Sequence, residues 1–247
     1  MLTTFVGYAT WAAFAHADYY WAPYISPFYS PCLATTCLHA RAGSLTDVHV
    51  PSLGVFGPWW VISPAVIILV VPLGFRLTCY YYRKAYYRSF WLSPPSCAVA
   101  EPHRRYTGET RFPLVLQNIH RYFFYLGLVL NAVLTYDAVV AFRNHATTQP
   151  RNHGGQWGHM GFGTLMLVVN AALLWLYSLG CHSCRHLVAG KLKHFSRHPV
   201  RYRLWAAVSY LNARHMQFAW ASLIFVALTD LYVRLVSSGT IADPRLF

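Results

Sequence analysis

The sequence predicts an all-α integral membrane protein, a helical bundle of four long transmembrane helices preceded by a further N-terminal membrane-associated segment. Three observations carry this reading. Of 247 residues, 56% are apolar, 17% aromatic and only 11% charged, far from the balance of a soluble domain. Four apolar stretches reach the roughly 20 residues that a helix needs to cross the hydrocarbon core. The Lys and Arg residues gather in two of the connecting loops, which is how membrane topology is written. The chain reads as a single membrane domain over 1–247, with an N-terminal segment (1–57), a transmembrane bundle (58–236) and a tail (237–247).

From Met1 to Ala40 there is no Lys or Arg, and Asp18 is the only carboxylate, yet "DYYWAPYISPFYSPC" is too rich in Pro and aromatic residues for a simple helix. An interfacial helix, a re-entrant segment and a fifth span all remain open. With no basic residue before Arg41, no cleavable signal peptide is expected. The first predicted span, 58–78, contains Pro64 and Pro72, which membrane helices tolerate with a kink. The second, third and fourth are 114–142, 159–180 and 206–236, with Asp137 and Asp230 near span ends where a carboxylate reaches the interface.

The loops set the orientation. Arg76, Arg83, Lys84, Arg88, Arg104, Arg105 and Arg111 are assigned to the region between the first two spans, and Arg185, Lys191, Lys193, Arg197, Arg201, Arg203 and Arg214 to that between the last two. The 143–158 loop holds only Arg143 and Arg151. The positive-inside rule places both basic loops of this multi-pass protein in the cytoplasm; a bacterial cytoplasmic (inner) membrane is what the resemblance described below implies. The net charge of +13 is thus a topological signal, and nucleic-acid binding is excluded.

Six cysteines are too few and too irregular for a secreted disulfide scaffold. Cys79 and Cys97 stand alone and are expected as free thiols, whereas Cys32 with Cys37 and Cys181 with Cys184 form close pairs. In "SLGCHSCRHLVAGKLKHFSRHPVRYR", a helix continued through 181–186 places His182 and His186 on one face and Cys181 and Cys184 on a neighbouring one. Thiolate with imidazole suits zinc or an iron–sulfur cluster, and two His on one iron is the Rieske arrangement. The assignment favoured puts Cys32 and Cys37 on one iron and His182 and His186 on the other, with Cys181 and Cys184 as alternates. A reduced thiol pair beside interfacial histidines is the competing reading. His120 and His215 lie at the same depth on the second and fourth spans, where they could ligate haem axially or line a pocket. No hydrolase elbow, phosphate loop, catalytic carboxylate pair or zinc-protease helix is present, which leaves electron transfer or metal handling.

The stretches "WAPYISPFYSPCLATTC", "GCHSCRHLVAGKLKHFSRHPVRYR" and "SYLNARHMQFAWASLIFVALTDLYVRLVSSG" resemble the membrane anchor of actinobacterial-type succinate dehydrogenase, the haem-free complex II class. The resemblance implies a single membrane-anchor domain that is not catalytic alone. It also implies flavoprotein and iron–sulfur partner subunits, a Rieske-type [2Fe–2S] cluster, electron delivery to a membrane quinone, and room for a higher oligomer of the complex. The Cys and His pairs are then the cluster's candidate ligands, and Tyr122, Arg214 and His215 the candidate quinone-binding residues, because they combine polarity with membrane depth. The rival readings are a haem b cytochrome using His120 and His215, and a membrane metal transporter or sensor using the Cys and His pairs.

Overall fold

The computed structural model describes residues 2–15, 17–34, 52–57, 59, 63–79, 81–82, 110–112, 114–144, 156–190 and 192–246. Among them seven α-helices follow in order: α1 (Leu2–Ala15), α2 (Pro64–Thr78), α3 (His120–Val140), α4 (Phe162–Leu179), α5 (His182–Ala189), α6 (Pro199–Ala213) and α7 (His215–Ser237). Three two-stranded sheets accompany them. β1 (Tyr20–Trp21) pairs antiparallel with β2 (Tyr24–Ile25), β3 (Cys32–Ala34) parallel with β4 (Ser52–Phe56), and β5 (Arg143–Asn144) antiparallel with β6 (Gln156–Trp157). The helical membrane architecture is therefore as expected.

Three helices, Val115–Val140, Phe162–Leu179 and His215–Ser237, are long and apolar enough to cross a membrane. Two expected spans need correction. The first is shorter than 58–78, because α2 begins only at Pro64, whose ring presets the first helical turn. Its 15 residues make about 22 Å at 1.5 Å each, short of the roughly 30 Å core. The fourth is not continuous over 206–236, because the polar run Asn212-Ala213-Arg214-His215 breaks it. Arg214 leaves helical geometry (φ −109°, ψ 15°), which ends α6 and lets α7 start at His215.

The described residues group into two compact units, Met1–Leu69 with Val129–Tyr177 and Gln217–Phe247, and Val70–Leu128 with Ser178–Met216. In the first unit the helices turn apolar side chains outward, among them Val129, Val139, Val168, Ile224 and Leu228, and bury Asn131, Thr164, Asn170, Ser222 and Thr229. This inversion of a soluble bundle is what an apolar solvent selects, since polar groups must find partners inside. Accordingly, Trp175 Nε1 donates to Thr135 Oγ1 at 2.8 Å and Asn131 Nδ2 donates to the Leu174 carbonyl at 3.2 Å.

Asp230, expected at the interface, is instead completely buried. It accepts hydrogen bonds from Tyr8 Oη at 2.5 Å, from the Ser26 hydroxyl and from Arg234 Nε at 2.8 Å. Arg234 also donates to the carbonyls of Ala12 (3.0 Å) and Ala17 (2.8 Å), at the end of α1 where carbonyls lack intrahelical partners. The N-terminal segment left open by composition is thus a 14-residue helix tied at its C-terminal end by one arginine, followed by a tyrosine-rich hairpin. At the tail, Asp243 accepts from Tyr24 Oη (2.6 Å), Tyr232 Oη (2.5 Å) and the Gly163 amide (2.8 Å), placing a carboxylate at the start of α4.

Candidate metal centre

The second unit gathers four helix ends, and each brings one Cys or His. Cys79 follows α2, His120 opens α3, Cys181 lies between α4 and α5, and His215 opens α7. Cys181 owes its position to a break: its backbone is extended (φ −67°, ψ 144°), so α4 does not run on into α5 as the sequence had suggested. Asn212 Nδ2 holds that break by donating to the Gly180 carbonyl at 2.8 Å. Arg201 Nε donates to the Val188 carbonyl at 2.7 Å and Arg185 lies 4.8 Å over the Trp205 ring, so α5 and α6 pack as one arm.

Cys79 Sγ stands 3.4 Å from His215 Nε2, and Cys181 Sγ stands 3.1 Å from His120 Nε2. Both thiols are free and buried, and His215 is buried with them. Burial pushes the Cys181 thiol up to about 12, and the Cys79 thiol adds to the rise.

The orientation of His120 follows from one hydroxyl proton. Thr78 Oγ1 donates to the Gly74 carbonyl at 2.6 Å, so its 2.9 Å contact with His120 Nδ1 has the ring N–H as donor. The proton is held at Nδ1, and the Nε2 lone pair faces Cys181. A ring nitrogen held this way is how protein scaffolds prepare a histidine for a metal. Phe75 stacks on the same ring with centroids 5.0 Å apart and planes at 11°. One turn away, a side chain at Gly74 would meet Phe123 ring carbons at 2.3 Å, so glycine permits this close approach.

Other expected site residues are placed differently. Cys32 is buried in the first unit and disulfide-bonded. Cys37, His39 and Cys97 lie outside the described residues. His182 and His186 do share a face of α5, with Nε2 atoms 3.0 Å apart, but that face is exposed. Cys184 is buried, free and raised by burial. Tyr122 is exposed, and Arg214 is exposed with its guanidinium 4.2 Å over the Tyr210 ring. Cys79, expected as a free thiol, is one, and its place beside His215 was not foreseen. A signal was available for three of the four: Cys79, His120 and Cys181 stand at or near the end of an apolar stretch that adjoins a basic loop, whereas His215 lies inside the expected 206–236 span.

Among the described residues, no three His, Cys, Asp or Glu side chains converge on a point suited to a single metal ion. The donors come instead as two Cys–His contacts, two sulfurs and two imidazole nitrogens in all. That is the complement of a two-iron cluster with mixed ligation.

Residues 1–239 match the family described as actinobacterial succinate dehydrogenase subunit SdhC. The structure is similar to a chain of the Mycobacterium smegmatis Sdh1 complex in the apo form, with a TM-score of 0.80 and 52% identity over 100% of this chain and 88% of that one. No curated protein matches the sequence.

Proposed function

Because the chain belongs to the family of the actinobacterial succinate dehydrogenase subunit SdhC, we propose that it receives electrons from the soluble subunits of that complex and passes them to a membrane quinone. As the membrane-embedded subunit of an oxidoreductase it works with the other succinate dehydrogenase subunits and is not catalytic alone. The proposed partners are a flavoprotein and an iron–sulfur subunit. The observation that carries the electron-transfer reading is the two Cys–His contacts, Cys79 with His215 and Cys181 with His120. These four would hold a Rieske-type [2Fe–2S] cluster, replacing the set Cys32, Cys37, His182 and His186 expected from the sequence.

Such a cluster takes up and gives away one electron at a time, and its His ligation raises its potential above that of all-cysteine clusters. The protein's part is to orient the donors, with Cys79, Cys181 and His215 buried. Thr78 holds the proton of His120 on Nδ1, and the Gly180 break presents Cys181. Quinone reduction consumes two electrons and two protons, so polar donors are needed at membrane depth beside the electron source. Tyr122 and Arg214 suit that role, being exposed and lying two residues from His120 and one from His215. In this reading His215 serves the metal instead of the quinone.

The orientation with basic loops in the cytoplasm is part of the proposal. It is supported by the charge distribution and by the Cys32 disulfide, which suits an oxidising outer compartment. The test is iron content and the cluster's paramagnetic signal in the purified complex. H120A or C181S removes that signal and lowers the iron content by the cluster's two irons, while the complex still oxidises succinate with a soluble dye. The double variant H182A/H186A keeps them. Retention of the signal in C181S and H120A, with loss in H182A/H186A, overturns the ligand set.

A further inference from the structure

Arg76 is a cation where the membrane disfavours one. It sits in the last turn of α2, only 9% exposed, three residues before Cys79, whose amide donates to the Arg76 carbonyl at 3.2 Å. Its Nη1 donates to Tyr82 Oη at 3.0 Å, and its guanidinium carbon lies 6.0 Å from the centre of the Tyr82 ring. Tyr82 is itself 5% exposed, and its phenol is raised first by burial, with the Cys79 thiol adding to the rise. A buried cation, the phenol that aims it and one sulfur of the quartet thus lie within seven residues of chain.

A buried guanidinium is stabilised by negative charge nearby. Two ferric ions, two sulfides, two thiolates and two neutral imidazoles sum to zero, and one added electron makes the centre an anion. A fixed cation about one helical turn from Cys79 acts through a low-dielectric medium and favours that added electron. We propose that Arg76, aimed by Tyr82, is a positioning residue that sets the reduction potential of the centre held by Cys79, His120, Cys181 and His215. This inference rests on the ligand set proposed above.

The test is a potentiometric titration of the cluster's paramagnetic signal in the intact succinate dehydrogenase complex, with the signal identified by its loss in H120A. In R76Q the reduced-to-oxidised ratio at a fixed ambient potential falls at least about tenfold, which is 59 mV for one electron. R76K retains the charge and stays within about threefold of the parent, and Y82F shifts the potential in the same direction as R76Q by less. A loaded R76Q complex with an unchanged midpoint overturns the inference and leaves the ligand set standing. So does loss of the cluster from both R76Q and R76K, because Arg76 then serves assembly. Loss from R76Q alone supports a need for charge at this position. A parent complex without any signal that H120A removes overturns the ligand set itself.

Discussion

Replacing Arg234 by Met tests how the N-terminal helix is held. The substitution removes the donors to Asp230 Oδ2 (2.8 Å), Ala17 O (2.8 Å) and Ala12 O (3.0 Å) while filling similar space. Asp230, with no exposed surface, keeps only the Tyr8 and Ser26 hydroxyls as partners. Breaking a buried ion pair by removing one member costs about 3–5 kcal/mol. For a chain of this size that corresponds to a fall of roughly 6–20 °C in melting midpoint. Removing both charges is far milder, because no uncompensated carboxylate remains, so R234M/D230L recovers most of the loss. The assay is the thermal midpoint of the detergent-solubilised complex, read together with protease release of the segment containing α1. If the double variant melts at or below R234M, the loss does not come from an orphaned carboxylate and the reasoning fails.

T78V leaves His120 without its Nδ1 partner and should weaken retention of the cluster about 10–100-fold, as changes behind a metal ligand do; the rate of iron loss to a chelator measures it, and an unchanged rate removes Thr78 from the site. C32S keeps full iron content and signal, because the Cys32 sulfur is already in a disulfide, and a loss of iron in that variant would return Cys32 to the ligand set. Single cysteines introduced at Ser196 and Ser238 should react oppositely with an impermeant reagent in intact cells. The first is protected and the second labelled, and labelling of the first reverses the proposed orientation. D243N weakens the hold of Tyr24 and Tyr232 on the tail by about 1–3 kcal/mol, read as faster proteolysis after residue 237, and an unchanged rate shows that these contacts do not hold it.

Membrane class, the three long spans and the family were legible in the sequence because each rests on one-dimensional signals: the length of an apolar run, the charge of a loop, a local motif. The same reasoning misplaced the ends of 58–78 and 206–236, where Pro64 and the Asn212–His215 run outweigh average hydropathy. It favoured His182 and His186 because they are neighbours in the chain, whereas the proposed ligand set is drawn from helix ends far apart in it. Only the tertiary structure brings Cys79, His120, Cys181 and His215 together, since that meeting depends on which way each helix runs and where α4 breaks. The buried state of Asp230 was decided there too: Arg234, one turn along, is visible in the sequence as a partner, whereas Tyr8 and Ser26 come from more than two hundred residues away and reach it only through the fold.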